Sequence, residues 1–562
     1  MFGFAKAPKE PLSDARSAER WLSALATSDP LAFRDAVIGE LARVAEPSAR
    51  RKPAELEALF VLDAHARSVR NTLVAQYIEH ATRSPRIESQ LWEAMFQLTE
   101  GFLTAYAAYE REALEGRDAR WRALLPELIV REMSQLSFDA KLRMFRYEPW
   151  IPAKWAELHA RFTLACTHHL ERERLHLQGE AKPVTIEHLY IVTLVLHLAN
   201  SGNLSRSQLD WLATHLESWC SSLRMSVTSP ASTAFYVDKA QGAGLRRRGA
   251  DPLEAEVLFL DTDPLHSLLQ HYILAIEQKI RSQPLSSKTS LRAERLTLLT
   301  KVAAQVDTQF RPVQRRGERT AAAGRIDAIV GLSAICGYLR EEERAPIPEL
   351  DTVSTFSGTL DLAVFGHLRN DRDKRKELAR RRIAAFAPPG GAWDMKDVSA
   401  TGVRLIAPME AACTLTLGMV AVLRGESELV WRLGVIRRMR RMTPERAEVG
   451  LQRIADTVAV IDMVAQAPGE NAAEGITTQR ERRFRGLLLI LRQANRTNAV
   501  QSLIMPLAEY RPRSKYRLCT SQRDYPIRCG TLLERGADWV WVSLEPLAIE
   551  AQHSENALAP GD

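Results

Sequence analysis

The sequence predicts an α+β multidomain protein with an N-terminal all-α helical domain, then a small β-barrel, then a further C-terminal β-rich unit. The chain has 562 residues, enough for three or four domains of about 150 residues each. Apolar residues recur every three or four positions over residues 1–225, which is the period of amphipathic helices. Beyond residue 311, short β-prone runs separated by turns replace that pattern.

The composition is that of an ordinary globular protein. Hydrophobic residues make up 46% and charged residues 26%, which excludes disorder throughout and a collagen-like chain. The net charge of +7 permits an anionic partner without requiring one. The six cysteines show no CxxC spacing, so the sequence predicts neither a zinc ribbon nor a disulfide framework and favours a reducing compartment.

No segment of the sequence is typical of secretion or membrane insertion. The N-terminus lacks the apolar core of a signal peptide. The most apolar window, Leu189 to Leu198, is about half the ~20 residues that a membrane span needs. We therefore expect a cytoplasmic protein without a membrane span.

The helical domain over 1–225 shows clear helix starts but no named architecture. Thr185 and Ser205 each stand just before an amphipathic run, as N-capping residues do. No fixed repeat period identifies a solenoid family. We expect an antiparallel helical domain whose family and role the sequence leaves open.

Residues 226–310 are expected to form a small β excursion followed by connecting helices. Short alternating runs bounded by Gly, Pro and Asp indicate the strands. The segment Gly242-Ala-Gly244 is not a dinucleotide-binding loop, because that motif needs a glycine where this chain has Arg247.

A barrel is expected over 311–465, with an inserted segment at 335–392. The insertion begins with a run typical of a helix packed on the barrel, and it contains a basic stretch at 369–382. We interpret that stretch as a solvated helix before a Pro/Gly linker; the alternative is an arm that contacts an acidic partner. A second β-rich unit is expected over 476–550, and a loose tail over 551–562.

Two polar motifs flank the insertion. The first is a basic loop just before a strand, and the second is a turn between two strands. Their candidate functional residues are Arg315, Arg316 and Arg319 in the first motif, and Asp397, Ser399 and Gly402 in the second.

These motifs resemble those of the PilZ domain family, small β-barrel receptors for the bacterial second messenger cyclic di-GMP. The family's motifs are RxxxR before the first strand and [D/N]xSxxG at a turn; this chain has Arg315 to Arg319 and Asp397 to Gly402 in that order. The resemblance implies that Arg315, Arg316, Arg319, Asp397, Ser399 and Gly402 form a cyclic di-GMP site. It covers about residues 311–463, and the 78 positions between Arg319 and Asp397 are more than the family's usual gap, so an inserted segment could cover the site.

The residue types suit such a ligand. A guanidinium group pairs with a phosphate through two hydrogen bonds, matches the O6/N7 edge of guanine, and stacks on a base. A carboxylate at position 397 can accept from the N1 and N2 donors of guanine, and Ser399 can bridge to a base or a phosphate. Gly402 would permit a positive φ and a close backbone approach.

Other candidate sites are weaker. His169, Glu173 and His176 would share one helix face, but they lack the HExxH pattern, and an amphipathic surface helix is the better interpretation. His197 lies in an apolar run and is expected in the core. No nucleophile elbow or P-loop is present, so we expect neither an enzyme, nor catalytic residues, nor a metal or cofactor.

Clustered arginines make the C-terminal half basic. They are Arg432, Arg437, Arg438, Arg440 and Arg441, followed by Arg482, Arg483 and Arg485. The simplest interpretation is a solvated strand end. A functional interpretation is a phosphate-contacting patch that extends the nucleotide site or touches nucleic acid or an anionic membrane surface.

We therefore expect a bacterial signalling protein that binds cyclic di-GMP and relays the signal to an unidentified protein partner through its helical domain. Closure of the Arg315–Arg319 loop would reorient the helix that ends near Phe310. The alternative is a ligand-free PilZ-like adaptor or scaffold. A nucleic-acid-binding protein that uses the basic half is less favoured, because no helix-turn-helix and no aromatic-and-basic platform is found.

Overall fold

The computed structural model divides the chain into two compact units, Met1–Arg315 with Arg440–Pro444, and Arg316–Met439 with Glu445–Asp562. The structure describes residues 10–25, 29–47, 51–80, 84–178, 182–200, 202–228, 235–248, 257–282, 287–309, 319–344, 391–408, 415–425, 428, 430–443, 445–465, 482–491, 500–519, 524–536 and 538–547. Among the expected features, the basic stretch at 369–382 and the tail at 551–562 lie outside these residues.

The described part of the first unit is mainly helical. Its helices are α1 Ala15–Ala24, α2 Pro30–Ala45, α3 Pro53–His80, α4 Pro85–Glu115, α5 Ala119–Phe145, α6 Pro152–Thr167, α7 Ile186–Ala199, α8 Arg206–Trp219, α9 Asp263–Arg281 and α10 Ser287–Val306. The two helix starts predicted from sequence are confirmed. The Thr185 hydroxyl accepts from the His188 N–H at 3.1 Å, and Ser205 forms a reciprocal capping box with Gln208.

A small sheet accompanies these helices, as the sequence predicts. It contains β1 Met225–Ser226, β2 Phe235–Asp238, β3 Arg246–Arg247 and β4 Val257–Leu260, in the order β1-β4-β2-β3. Strands of two to four residues cannot enclose a core of their own. Phe235 and Leu260 instead belong to the same buried cluster as helices α1 to α10, so the boundary expected at residue 225 does not separate two cores.

The second unit begins with a closed six-stranded barrel. Its strands are β5 Thr320–Val330, β6 Ala392–Ser399, β7 Gly402–Pro408, β8 Val420–Gly425, β9 Arg432–Thr443 and β10 Arg446–Ala455, in the order β10-β7-β6-β5-β8-β9. Inward and outward residues alternate along the regular parts of the strands; on β7, for example, Leu405 and Ala407 are fully buried. The sequence-predicted barrel is thus present as a closed β-structure.

Helix α11 Leu332–Arg344 occupies the start of the expected insertion and packs on the outside of this barrel. Its Ile335 shares a buried cluster with Val422 and Leu433 of the barrel and with Leu487. The buried Arg424 anchors the helix, because its guanidinium donates to Glu342 at 2.6 Å. The helix therefore fills the space between this barrel and the strands that follow it.

Those strands form a second closed barrel. They are β11 Val458–Ala465, β12 Arg482–Leu491, β13 Val500–Pro506, β14 Lys515–Cys519, β15 Asp524–Arg535 and β16 Trp539–Pro546, in the order β11-β12-β13-β16-β15-β14. The two barrels share the buried cluster that includes Leu433 and Leu487. Polar contacts also join them: the Trp539 indole donates to the Gly418 carbonyl at 2.8 Å, and Arg437 forms a two-point ion pair with Glu534.

Strand β11 lies in a different barrel from the one expected. The sequence analysis placed residues up to 465 in the first barrel, whereas Val458–Ala465 pairs with β12 and β14 of the second. The physical reason is that a strand's alternation sets which face is buried but not which neighbour it pairs with. The short connection from β10 carries the chain directly from one barrel to the next.

Candidate ligand site on the first barrel

A β-bulge in β6 positions Asp397. Met395 pairs with Leu405 and Asp397 pairs with Arg404, so two steps along β6 match one step along β7. A bulge redirects side chains relative to regular alternation. As a result Asp397 lies on the outer face of the barrel opposite Arg404, although its neighbours Met395 and Val398 line the interior.

Arg319 reaches the same carboxylate from the other motif. It immediately precedes β5, whose Thr320 pairs with Val398. Its Nη1 donates to Asp397 Oδ1 at 2.8 Å, across 78 positions of sequence. The structure therefore brings together one residue of each predicted motif.

Arg404 completes the cluster, and the sequence analysis missed it. Its Nε donates to Asp397 Oδ2 at 2.6 Å, a second hydrogen bond joins its Nη2 to the same oxygen, and its Nη1 lies 3.6 Å from Glu448. The hydrogen bond that Arg404 donates to Asp397 raises the pKa of Arg404, with Glu448 contributing. One signal was available: Arg404 stands between Val403 and Leu405 in an alternating strand, so it had to face outward beside the motif.

Ser399 and Gly402 shape the turn between β6 and β7. The Ser399 hydroxyl donates to the Gly402 carbonyl at 3.2 Å, which closes the turn. The expectation of a positive φ at Gly402 is wrong, because its φ is not in the left-handed region. A Cβ at this position would lie 2.5 Å from the Leu451 carbonyl oxygen of β10, so only glycine lets the strands approach this closely. The expected close approach of a ligand to the Gly402 backbone stays a prediction.

The remaining predicted site residues, Arg315 and Arg316, lie outside the described residues. They stand three and four positions before Arg319. Their approach to Asp397 stays a prediction.

The outer face around Asp397 is positively charged. Arg438 of β9 lies on the same face as Arg404. The residue that pairs with Arg404 is Gly450 of β10, and a Cβ built at Gly450 would lie 3.4 Å from the Cβ of Arg438. Lys396 is exposed beside Asp397. Within the part of the chain that the structure describes, no ion pair neutralises Lys396 or Arg438. Four cations thus surround two carboxylates, and the face can accept an anion.

A pocket of about 50 Å³ lies among Ile326, Val398 and Leu423 of the first barrel, and Glu428, Arg432 and Arg453 border it as well. This pocket is too small for a nucleotide.

The candidate metal ligands His169, Glu173 and His176 do not share a helix face. Helix α6 ends at Thr167, and His169 has a φ of 56°, so the predicted surface helix through His176 is not formed. Among the described residues, no group of three or more His, Cys, Asp or Glu side chains is arranged to hold a metal ion. His197 packs edge-on against Trp155, and burial lowers its pKa to about 4, as suits a core position.

Comparison with known proteins gives two matches. Residues 16–231 match the family model described as "Cyclic-di-GMP receptor FimW, N-terminal domain". The curated protein "Cyclic-di-GMP receptor FimW" of Pseudomonas aeruginosa is 23% identical over 343 residues, covering 55% of each chain. The chain thus spans about half the length of this relative, and the family match falls on the helical region rather than on the barrels. No described helix is long and apolar enough to cross a membrane.

Proposed function

We propose that this protein is a signalling receptor that binds cyclic di-GMP on the outer face of the first barrel, and that this barrel is a PilZ domain. The observation that carries the proposal is the 2.8 Å hydrogen bond from Arg319 to Asp397, because it joins the two motifs at one charged surface. The likeness to a cyclic di-GMP receptor supports the same ligand. The family-model match falls on residues 16–231, outside the first barrel.

Each group has a role in this proposal. Arg319 and Arg404 pair with phosphate or with the O6/N7 edge of guanine. Asp397 Oδ1 accepts one hydrogen bond from Arg319 and has one lone pair left, whereas Oδ2 accepts two from Arg404 and has none. Oδ1 therefore accepts from one guanine donor, and acceptance from both N1 and N2 requires the ligand to displace Arg404. Ser399 and Gly402 keep the β6–β7 turn tight enough for the ligand to approach the backbone. Arg315 and Arg316 add further phosphate contacts from the loop before β5.

Calorimetry of the whole protein with cyclic di-GMP tests the proposal. Wild type is expected to bind at micromolar concentration or tighter, and Arg319→Ala and Asp397→Ala should each lose at least tenfold in affinity. Arg120→Ala is the matched control: Arg120 is an exposed arginine in α5 that pairs with Glu57 at 2.9 Å, within the helical unit rather than the first barrel. No heat at two temperatures, together with no retention in equilibrium dialysis, would refute the ligand assignment.

The proposed output is a protein–protein contact of the helical domain. Ligand-bound Arg315–Arg319 would pull on the chain that follows α10, and the ligand can shift the balance between two arrangements only by binding one of them better. Small-angle scattering with and without cyclic di-GMP should therefore differ. Superimposable scattering profiles would refute a large reorientation of the helical domain and would be consistent only with a local closure of the loop.

One observation favours a second candidate, a ligand-free adaptor. Both oxygens of Asp397 already accept hydrogen bonds from arginines of the same barrel, which is what a purely structural ion cluster needs. In an adaptor, Arg319→Ala would leave the protein's cellular function intact and lower only its stability. A receptor would lose signalling with the same change.

A further inference from the structure

One rim of the second barrel collects positive charge that the fold does not neutralise. We define the basic rim as Arg482, Arg511, Arg513, Lys515 and Arg528. Pairing brings them together: Arg482 and Tyr516 both pair with Ala465, and Lys515 pairs with Arg528. Arg511 and Arg513 lie in the turn that leads into β14.

Few acids balance this rim. Arg482 pairs with Glu509 at 2.8 Å. Among the described residues, Arg511 donates to backbone carbonyls, including that of Tyr510 at 2.9 Å. Glu545 stands opposite Arg528 in the register. For Arg513, Lys515 and Arg528, however, the structure records no ion pair over the residues it describes. Five cations against two nearby carboxylates leave an excess of three positive charges.

Two features of the rim are unfavourable for folding by themselves. Lys515 and Arg528 are like charges directly opposite one another on antiparallel strands, which is destabilising. Arg513 adopts a φ of 59°, a conformation that non-glycine residues rarely take. Such costs persist where the surroundings fix them and are typical of functional surfaces. An anion bound at the rim would offset the repulsion between Lys515 and Arg528.

The turn that presents the arginines is ordered. The buried Tyr516 hydroxyl accepts from the Arg511 N–H at 3.0 Å and donates to the Glu509 carbonyl at 2.8 Å. Arg511 and Arg513 are therefore held at the surface by a fixed turn.

Exposed apolar side chains follow the rim residue Arg528 by four and five positions along β15. Strand β15 continues past the end of β14, and a bulge there leaves Leu532 and Leu533 37% and 46% exposed. Cations next to exposed leucines suit a bilayer, where phosphates meet acyl chains. They suit nucleic acid poorly, because the described rim offers neither an aromatic stacking platform nor a helix for a groove.

We propose that the basic rim and Leu532–Leu533 form a docking surface for an anionic phospholipid bilayer. The cations contact lipid phosphates, and the two leucines enter the region between head groups and acyl chains. This proposal does not rest on cyclic di-GMP binding. The docking surface lies on the second barrel, whereas the proposed nucleotide site lies on the first.

Co-sedimentation of the whole protein with vesicles tests the proposal. Binding is expected to vesicles of phosphatidylcholine with 30% phosphatidylglycerol at about 50 mM salt, not to pure phosphatidylcholine, and it should weaken as salt rises. Each positive charge near an anionic surface contributes about fivefold in affinity, so Lys515→Glu should weaken binding about 25-fold. Leu532→Ser with Leu533→Ser should weaken it as well. Arg446→Glu carries the same charge change on the first barrel and should bind like wild type.

Stability provides the second measurement. Lys515→Glu replaces a repulsive pair with an attractive one opposite Arg528, so its thermal midpoint should stay level or rise while vesicle binding is lost. Equal binding to neutral and anionic vesicles, or unchanged binding by Lys515→Glu, would overturn the proposal. So would retention of duplex DNA without any vesicle binding, which would assign the rim to nucleic acid.

Discussion

At the scale of single residues, Asp397 is the centre of the candidate site because it is a nearly buried carboxylate with two arginine partners. Its exposed fraction is 6%, and a buried charge that loses a partner is destabilising. The cluster therefore contributes to the stability of the first barrel as well as to any ligand site. Variants must be assessed for both effects.

Arg404→Ala should separate these effects. Removing the two hydrogen bonds that Arg404 donates to Asp397 should lower the free energy of unfolding by about 1–2 kcal/mol and weaken cyclic di-GMP binding. Urea unfolding and calorimetry on the same samples measure the two quantities, with Arg120→Ala as the control. An unchanged unfolding curve would contradict the structural role of Arg404.

Alanine substitutions at two glycines should change the free energy of unfolding in opposite directions. Gly402→Ala should destabilise the first barrel by about 1–3 kcal/mol, because the new Cβ would meet the Leu451 carbonyl oxygen at 2.5 Å. Gly337→Ala, inside α11 with open space around it, should stabilise by about 0.5–1 kcal/mol through helix propensity. Thermal unfolding of both variants measures this contrast; a shift in the same direction for both would count against it.

The residue scale also shows what sequence could and could not predict. Asp397 and Arg319 were identified from motif spacing, and the structure brings them together. Arg404 was missed because it is one of 76 lysines and arginines, and only the bulge in β6 makes it the partner of Asp397. Bulges depend on strand pairing, which local sequence does not encode.

At the scale of helices and strands, a buried carboxyl in α5 makes the helical domain sensitive to pH. Burial raises the pKa of Glu132 to about 8, while the ion pair with Arg161 at 2.9 Å opposes the shift and Glu110 and Glu157 add to it. A carboxyl whose pKa is higher in the folded state binds more protons when folded. Its contribution to stability is therefore full below about pH 4.5 and is lost as the pH rises toward 8.

Glu132→Gln should remove this dependence. The free energy of unfolding of wild type should fall between pH 5 and pH 8 by more than that of the variant, as measured by urea unfolding at both values. Glu115→Gln, at the exposed end of α4, should behave like wild type. Parallel pH profiles for wild type and Glu132→Gln would show that Glu132 is ionised throughout.

Strand β15 shows a limit of pattern reading at this scale. A β-rich unit was expected over 476–550, but Asp524–Arg535 was not identified as one of its strands. That segment contains Pro526 and Gly530, both unfavourable in strand interiors, and its register shifts twice against β16. Pairing on both sides of β15 outweighs these local preferences.

At the scale of the whole molecule, fold class was predictable because it depends on periodicity, whereas domain boundaries were not. The change from helical to β texture near residue 311 matches the division of the chain into two units. The boundary at 465 divided the strands incorrectly, since β10 and β11 are adjacent in sequence but belong to different barrels. The barrel to which β11 belongs depends on its pairing partners, one of which, β14, is distant in the sequence.

A protein shortened to residues 1–465 should therefore fail to fold cleanly. It would keep β11 without its partners β12 and β14 and would expose the α11 surface that packs on Leu487. We expect aggregation, detected by light scattering, and loss of cooperative unfolding. A monodisperse, cooperatively unfolding product would indicate that the first barrel does not need the second.

The closure of both barrels bears on how this chain behaves at high concentration. A sheet edge offers unpaired backbone groups that can recruit another chain, and a closed barrel has none. Over the residues that the structure describes, the edge strands are β1 and β3 of the small sheet, each only two residues long. Such short edges are poor templates for cross-chain pairing. The β-rich half of the molecule is thereby protected against fibril-like assembly, and any self-association should proceed through side-chain surfaces.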